Sequence, residues 1–192
     1  MGTVEDLIIE SLKDFINLKT ERDCDKSNKL VFPVTAKDEA IHRISEQEAR
    51  LSLIKQIEKN DIFCYSVETP TKKKYGERKQ TWSIDLCLHE NGERKHLIEF
   101  KAFAKDATRD FMKLFCEEGL TNYFINVFGG FDGVGGGLDK IKQNHEIAIK
   151  NALEHIERKS MVIIFLCEIS NRLVCKYEIL DNTLKEVYKK PL

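Results

Sequence analysis

Apolar residues recur near the start of the chain at Leu7, Ile8, Leu12, Phe15 and Ile16, a spacing that predicts an amphipathic helix over residues 4–19. Residues 20–44, with Pro33 among them, keep neither a helical nor a strand period and predict an irregular segment. Ser45 opens a second helix. Glu48 follows at capping-box spacing, Leu53, Ile54 and Ile57 supply its apolar face, and it should run to about residue 59. Residues 62–67 predict a strand ended by Pro70. Residues 82–88 and 97–102 predict two strands joined through Asn91-Gly92, a strong hairpin signal. Residues 107–118 carry Phe111, Met112, Leu114 and Phe115 at helical spacing, with Gly119 as a stop. A buried strand over 122–128, a long helix over 138–158 and a continuous apolar strand over 161–169 come next. Residues 173–180 are the hairpin partner of that last strand, and the final twenty residues are read as packing or interface. No repeat or boundary interrupts this order. It predicts one domain over 1–192, α/β in class, with an early helix, a meander and a later crossover.

Composition narrows the classes. With 192 residues, 42% hydrophobic and 33% charged, the chain can bury a core and is not a disordered polymer. No apolar run approaches the roughly 18 residues of a membrane span. The N-terminus lacks the basic start and apolar stretch of a secretory signal, so a cytoplasmic protein with no membrane partner is expected. Lys+Arg number 31 against 32 Asp+Glu, a net charge of −1, which excludes a chain-wide polycation. A local basic loop remains, with Lys72, Lys73, Lys74, Arg78 and Lys79 set against the single acid Glu77. The six cysteines are scattered without a C-x-x-C pair, which reads as reduced core thiols rather than a zinc site, a disulfide framework or a nucleophile.

Strand alternation then concentrates chemistry on the hairpin. Glu99 and Lys101 share one face of their strand while Ile98 and Phe100 share the other. In the preceding strand Asp85 lies with Ser83 and Cys87, opposite Ile84, Leu86 and Leu88. If both apolar rows face the core, Asp85, Glu99 and Lys101 face out together. A strict two-residue turn would set Asp85 opposite Ile98, so an odd loop, three residues with a bulge or five, is expected. Two close carboxylates repel unless a cation sits between them. A hard divalent ion does this with oxygen ligands, and a neighbouring lysine can hold a water or neutralise a phosphate.

Asp85, thirteen intervening residues and then Glu99-Phe100-Lys101 resemble the signature of the PD-(D/E)XK nuclease superfamily. Ser45-Glu46-Gln47-Glu48-Ala49-Arg50 resembles the glutamate-bearing helix that precedes the motif in small bacterial members. The likeness covers residues 44–128, and Ile84 stands where the motif has proline. It implies a restriction-endonuclease-like core, a mixed β-sheet flanked by helices, and Mg²⁺-dependent (or Mn²⁺-dependent) hydrolysis of nucleic acid, DNA favoured. Carried onto this chain, Asp85, Glu99 and the Phe100 carbonyl would hold the metal, and Lys101 would position the attacking water. The helix carboxylate would be Glu46 or Glu48. Glu46 is preferred, since it lies on the side of Leu53 and Ile57 while Glu48 is engaged by Ser45. The alternative is a catalytically silent nucleic-acid- or protein-binding module on the same fold, and a homodimer would suit an enzyme that cuts two strands.

Other candidates weigh less. The basic loop is either a phosphate clamp or a solvated loop. Tyr75 and Trp82 could stack on bases, although Trp82 is better read as core. Residues 129–137 hold six glycines but lack the Gly-Lys-Ser/Thr ending of a nucleotide loop. His145 is expected to be packed, and His89 and His96 exposed. Arg50 would brace Glu46 or meet a phosphate.

Overall fold

The structure is a computed structural model that describes residues 3–27, 29–33, 45–75, 79–103, 106–117, 121–129 and 137–192. Among these residues four helices and one seven-stranded mixed sheet form an α/β fold. No described helix is long and apolar enough to cross a membrane. Helix α1 (Val4–Ile16) starts at a capping box in which Thr3 and Asp6 exchange hydrogen bonds. It stops three residues short of the expected end, because the Asn17 side chain donates to the Lys13 carbonyl (2.8 Å) and closes the last turn. Helix α2 (Glu46–Asn60) begins at Ser45 as expected.

The strands are β1 (Cys64–Pro70), β2 (Ser83–Glu90), β3 (Glu93–Ala102), β4 (Asn122–Phe128), β5 (Val162–Glu168), β6 (Leu173–Leu180) and β7 (Thr183–Pro191), and their order in the sheet is their order in the chain. Strands β3, β4 and β5 run parallel, and the other neighbours are antiparallel. The crossovers carry helix α3 (Thr108–Cys116) between β3 and β4, and helix α4 (Leu138–Leu153) between β4 and β5. Both steps move the same way across the sheet, so crossovers of one hand put both helices on one face. Helices α1 and α2 pack on the other. Strand β4 is buried along its whole length, as a central strand covered on both sides must be.

Each face has its own core. Leu86, Leu88, Ile98, Phe100, Ile125 and Phe165 pack under α1 and α2. Cys87, Leu97, Phe124, Ile164 and Tyr177 pack under α3 and α4. Ile84 departs from the expected alternation: it is buried in the second cluster, not beside Leu86 and Leu88. Helix α4 ends at Leu153 rather than near 158, since the chain turns so that the Lys159 and Ser160 amides donate to the Phe115 carbonyl. Four of the cysteines, Cys87, Cys116, Cys167 and Cys175, are buried free thiols, while Cys24 and Cys64 are exposed.

Candidate functional site

The β2–β3 hairpin turns on Asn91 (φ 52°) and Gly92 (φ 78°), two left-handed residues with Glu90 paired to Glu93. This is the strict two-residue turn, not the odd loop expected. A left-handed Asn-Gly pair matches the natural twist of the strands, and Gly92 has no Cβ to strain there. The register is corrected further along. His89 pairs with Arg94 but Leu88 pairs with His96, so Lys95 forms a β-bulge. Beyond it Leu86 pairs with Ile98, which carries Asp85 to the position opposite Glu99.

At that position the strands part. The ladder stops at Leu86–Ile98, and the Phe100 N–H donates instead to Asp85 Oδ2 at 2.8 Å. Glu99, on the α3 side of the sheet, is only 1% exposed. The Lys113 ammonium of α3 lies 2.7 Å from Glu99 Oε1. It donates to the Ser83 carbonyl at 2.9 Å and lies 3.2 Å from Asp110 Oδ1. Lys101 donates to the other Asp110 oxygen at 2.7 Å. Asp110 therefore ties two lysines together, and both Asp110 and Lys113 are buried.

Helix α2 supplies a further carboxylate. Glu46 is its first residue, and Oε1 accepts the Ala102 N–H of β3 at 3.2 Å. Glu48 is engaged by the Ser45 hydroxyl at the N-cap. Arg50 does not brace Glu46. Its guanidinium donates to Glu68 at 2.5 Å and to the Asp85 carbonyl at 3.4 Å, clasping β1 and β2 where they approach the site. Next to Lys101 in the sheet register stands Asn126, whose amide donates to the Phe103 carbonyl (3.0 Å) and contacts His145 Nε2 (3.1 Å).

Burial dominates the acid strengths at this site. Burial, followed by the nearby Asp85 carboxylate, pushes Glu99 well above the usual carboxylate range, with Lys113 opposing. Burial also raises Asp85, partly offset by the Phe100 N–H and Lys113. Burial disfavours both ammonium groups, but their acids outweigh it: Asp110 foremost for Lys101, Glu99 and Asp110 for Lys113, and both rise. His145 is driven down to about 4 by burial and stays neutral.

The basic loop is built differently from a solvated run. The N–H groups of Lys72 and Lys73 donate to the two oxygens of the buried Glu117 carboxylate (2.8 and 2.9 Å), and the Tyr75 hydroxyl adds a third bond at 3.0 Å. Tyr75 and Trp82 stack on each other with ring centres 4.5 Å apart, and Trp82 is half-buried with Arg109 over its face. Lys72, Lys74 and Lys79 are exposed and Lys73 is half-buried; Arg78 lies outside the described residues. Most of the glycine segment, 130–136, lies outside them too. His89 and His96 are half-buried rather than exposed, each held by a hydrogen bond at 2.8 Å, to Ser66 and to the Thr121 carbonyl. His145 is fully buried.

Sequence reasoning missed Asp110, Lys113 and Glu117. The spacing of Asp110 and Lys113 is that of an ordinary salt-bridged pair on a solvated helix face. What could have marked them is that α3 follows directly on the Glu99-Phe100-Lys101 strand and must cross back over it. No family model matches the chain, and no curated protein or solved structure matches it either.

Proposed function

We propose that this chain is a divalent-cation-dependent nuclease with a restriction-endonuclease-like core, hydrolysing phosphodiester bonds of nucleic acid, DNA favoured. The observation that carries the reading is the meeting of Asp85 and Glu99 where β2 and β3 part, with Lys101 two residues on and Glu46 reaching the same strand end. The donor set suits a hard cation: every candidate ligand is an oxygen, and burial holds both the Asp85 and Glu99 carboxyls above the usual carboxylate range, which a bound cation would reverse. Asp85, Glu99 and the Phe100 carbonyl would hold Mg²⁺ or Mn²⁺. When bound, the ion would supply Lewis-acid polarisation of the phosphate and stabilise the charge that develops on it.

The chain's own groups do the rest. Lys101 is held as an ammonium by Asp110, so at neutral pH it is a hydrogen-bond donor and not a base. One of its three N–H bonds is taken, which leaves two to orient the attacking water and meet a phosphate oxygen. Glu46 uses Oε1 on Ala102 and keeps Oε2 to accept a proton from that water. The exposed Lys72, Lys74 and Lys79 would give a sequence-independent attraction to a phosphate backbone.

A second reading, a catalytically silent binding module on the same fold, is favoured by one observation: Lys113 already lies against Glu99. Labelled single- and double-stranded DNA and RNA, incubated with Mg²⁺ or Mn²⁺, separate the two. The nuclease cuts at least one substrate with either ion and Lys101→Ala abolishes cutting. Binding without cutting, unchanged in Lys101→Ala, selects the silent module.

A further inference from the structure

We infer that Lys113 is a resident counter-cation on Glu99, competing with the divalent ion for that carboxylate and displaced from it when the ion binds. The inference rests on Asp85 and Glu99 being metal ligands. The Lys113 ammonium is surrounded by three oxygens, Glu99 Oε1 at 2.7 Å, the Ser83 carbonyl at 2.9 Å and Asp110 Oδ1 at 3.2 Å. Glu99 is the one donor this seat shares with the ion's ligands, so the ammonium and the ion compete for the same carboxylate.

The seat does not fit an ammonium well. Glu99 Oε1 is buried, and the Lys113 ammonium against it is shared with the Ser83 carbonyl and Asp110 Oδ1. An ammonium must divide its directed N–H groups among these oxygens, whereas a spherical cation imposes no such direction. Charge points the same way. Asp85, Glu99, Asp110 and Glu46 gather around two ammonium groups, Lys101 and Lys113, so acids outnumber lysines at the strand end. Lys113 thus bridges Glu99 and Asp110. Helix α3 allows the exchange, because a lysine stem can swing away while Asp110, one turn earlier, stays bound to Lys101.

Titration of Mn²⁺ by calorimetry into the native protein, Lys113→Gln and Lys113→Met tests this. With the competing charge removed, both variants should bind Mn²⁺ about tenfold more tightly than the native chain. Native binding with unchanged or weaker binding by the folded variants overturns the inference and leaves the metal reading standing. Absence of Mn²⁺ binding by native and variant chains alike overturns the metal reading, and this inference with it. A measurement on the native protein guards against variants that fail to fold. Nitrogen-15 spectra of the lysine ammonium groups should lose the protected Lys113 signal as Mg²⁺ saturates the protein. Persistence of that signal at saturation refutes displacement.

Discussion

Asp85 Oδ2 accepts the main-chain N–H of Phe100 at 2.8 Å, taking the place of a strand-to-strand hydrogen bond. The carboxylate therefore has a structural role as well as its charge. Asp85→Asn keeps an oxygen for Phe100 and should melt within a few degrees of the native protein. Asp85→Ala leaves that N–H unpaired and should cost about 1–3 kcal/mol in a urea melt. Both variants should lose metal-dependent cutting by at least about a hundredfold.

Glu99 ties stability to pH in the metal-free protein. Its folded-state pKa is raised well above the ordinary value of 4.5, chiefly by burial. Such a group favours the fold fully below pH 4.5, and that contribution is lost as pH rises through its folded value. Glu99→Gln cannot ionise. In EDTA its stability relative to native should therefore grow as pH rises from 4.5 to 8, as read from paired denaturant midpoints. Saturating Mg²⁺ should shrink the difference, and a gap independent of pH would contradict the assignment.

His145 acts at the opposite end. Its folded value of about 4 lies below the ordinary 6.5, so it stabilises above pH 6.5 and that contribution is lost as pH falls toward 4. The loss should reach about 3 kcal/mol. His145→Phe should flatten this part of the acid-unfolding curve, even if it costs stability at pH 7 through the contact with Asn126.

The lysine loop depends on Glu117. Glu117→Ala removes the acceptor shared by the Lys72 and Lys73 amides and the Tyr75 hydroxyl, so the loop should detach from α3. Trypsin should then cut after Lys72, Lys73 or Lys74 several-fold faster, and affinity for nucleic acid at low salt should fall. A cleavage pattern identical to native would show the loop to be anchored elsewhere.

The elements with a clear local apolar pattern were legible in the sequence. The cap at Ser45, the strand carrying Glu99 and Lys101, and the apolar runs of β4 and β5 all follow from local periodicity. Glu46 was legible because its place on the α2 face is fixed by Leu53 and Ile57. Strand β7 was not. It is an edge strand exposed on most positions, so Lys185, Glu186, Lys189 and Lys190 leave no apolar alternation to read. Asp110 and Lys113 were hidden for another reason: their burial depends on how α3 lies across the sheet, and a single helix's pattern does not contain that angle.

The bulge at Lys95 can be restated as a matter of parity. Across a two-residue turn, paired residues are separated by an odd number of positions, as Glu90 and Glu93 are. Asp85 and Glu99 are fourteen apart, an even number, and no regular hairpin on Asn91-Gly92 could oppose them. One extra residue on one strand is the smallest device that reconciles a favourable turn with an even spacing. Deleting Lys95 would make the separation odd, so the bulge would vanish and the two acids would still face each other. The hairpin tip can therefore lose a residue at that point without moving the acids, whereas a deletion between Leu97 and Glu99 would separate them.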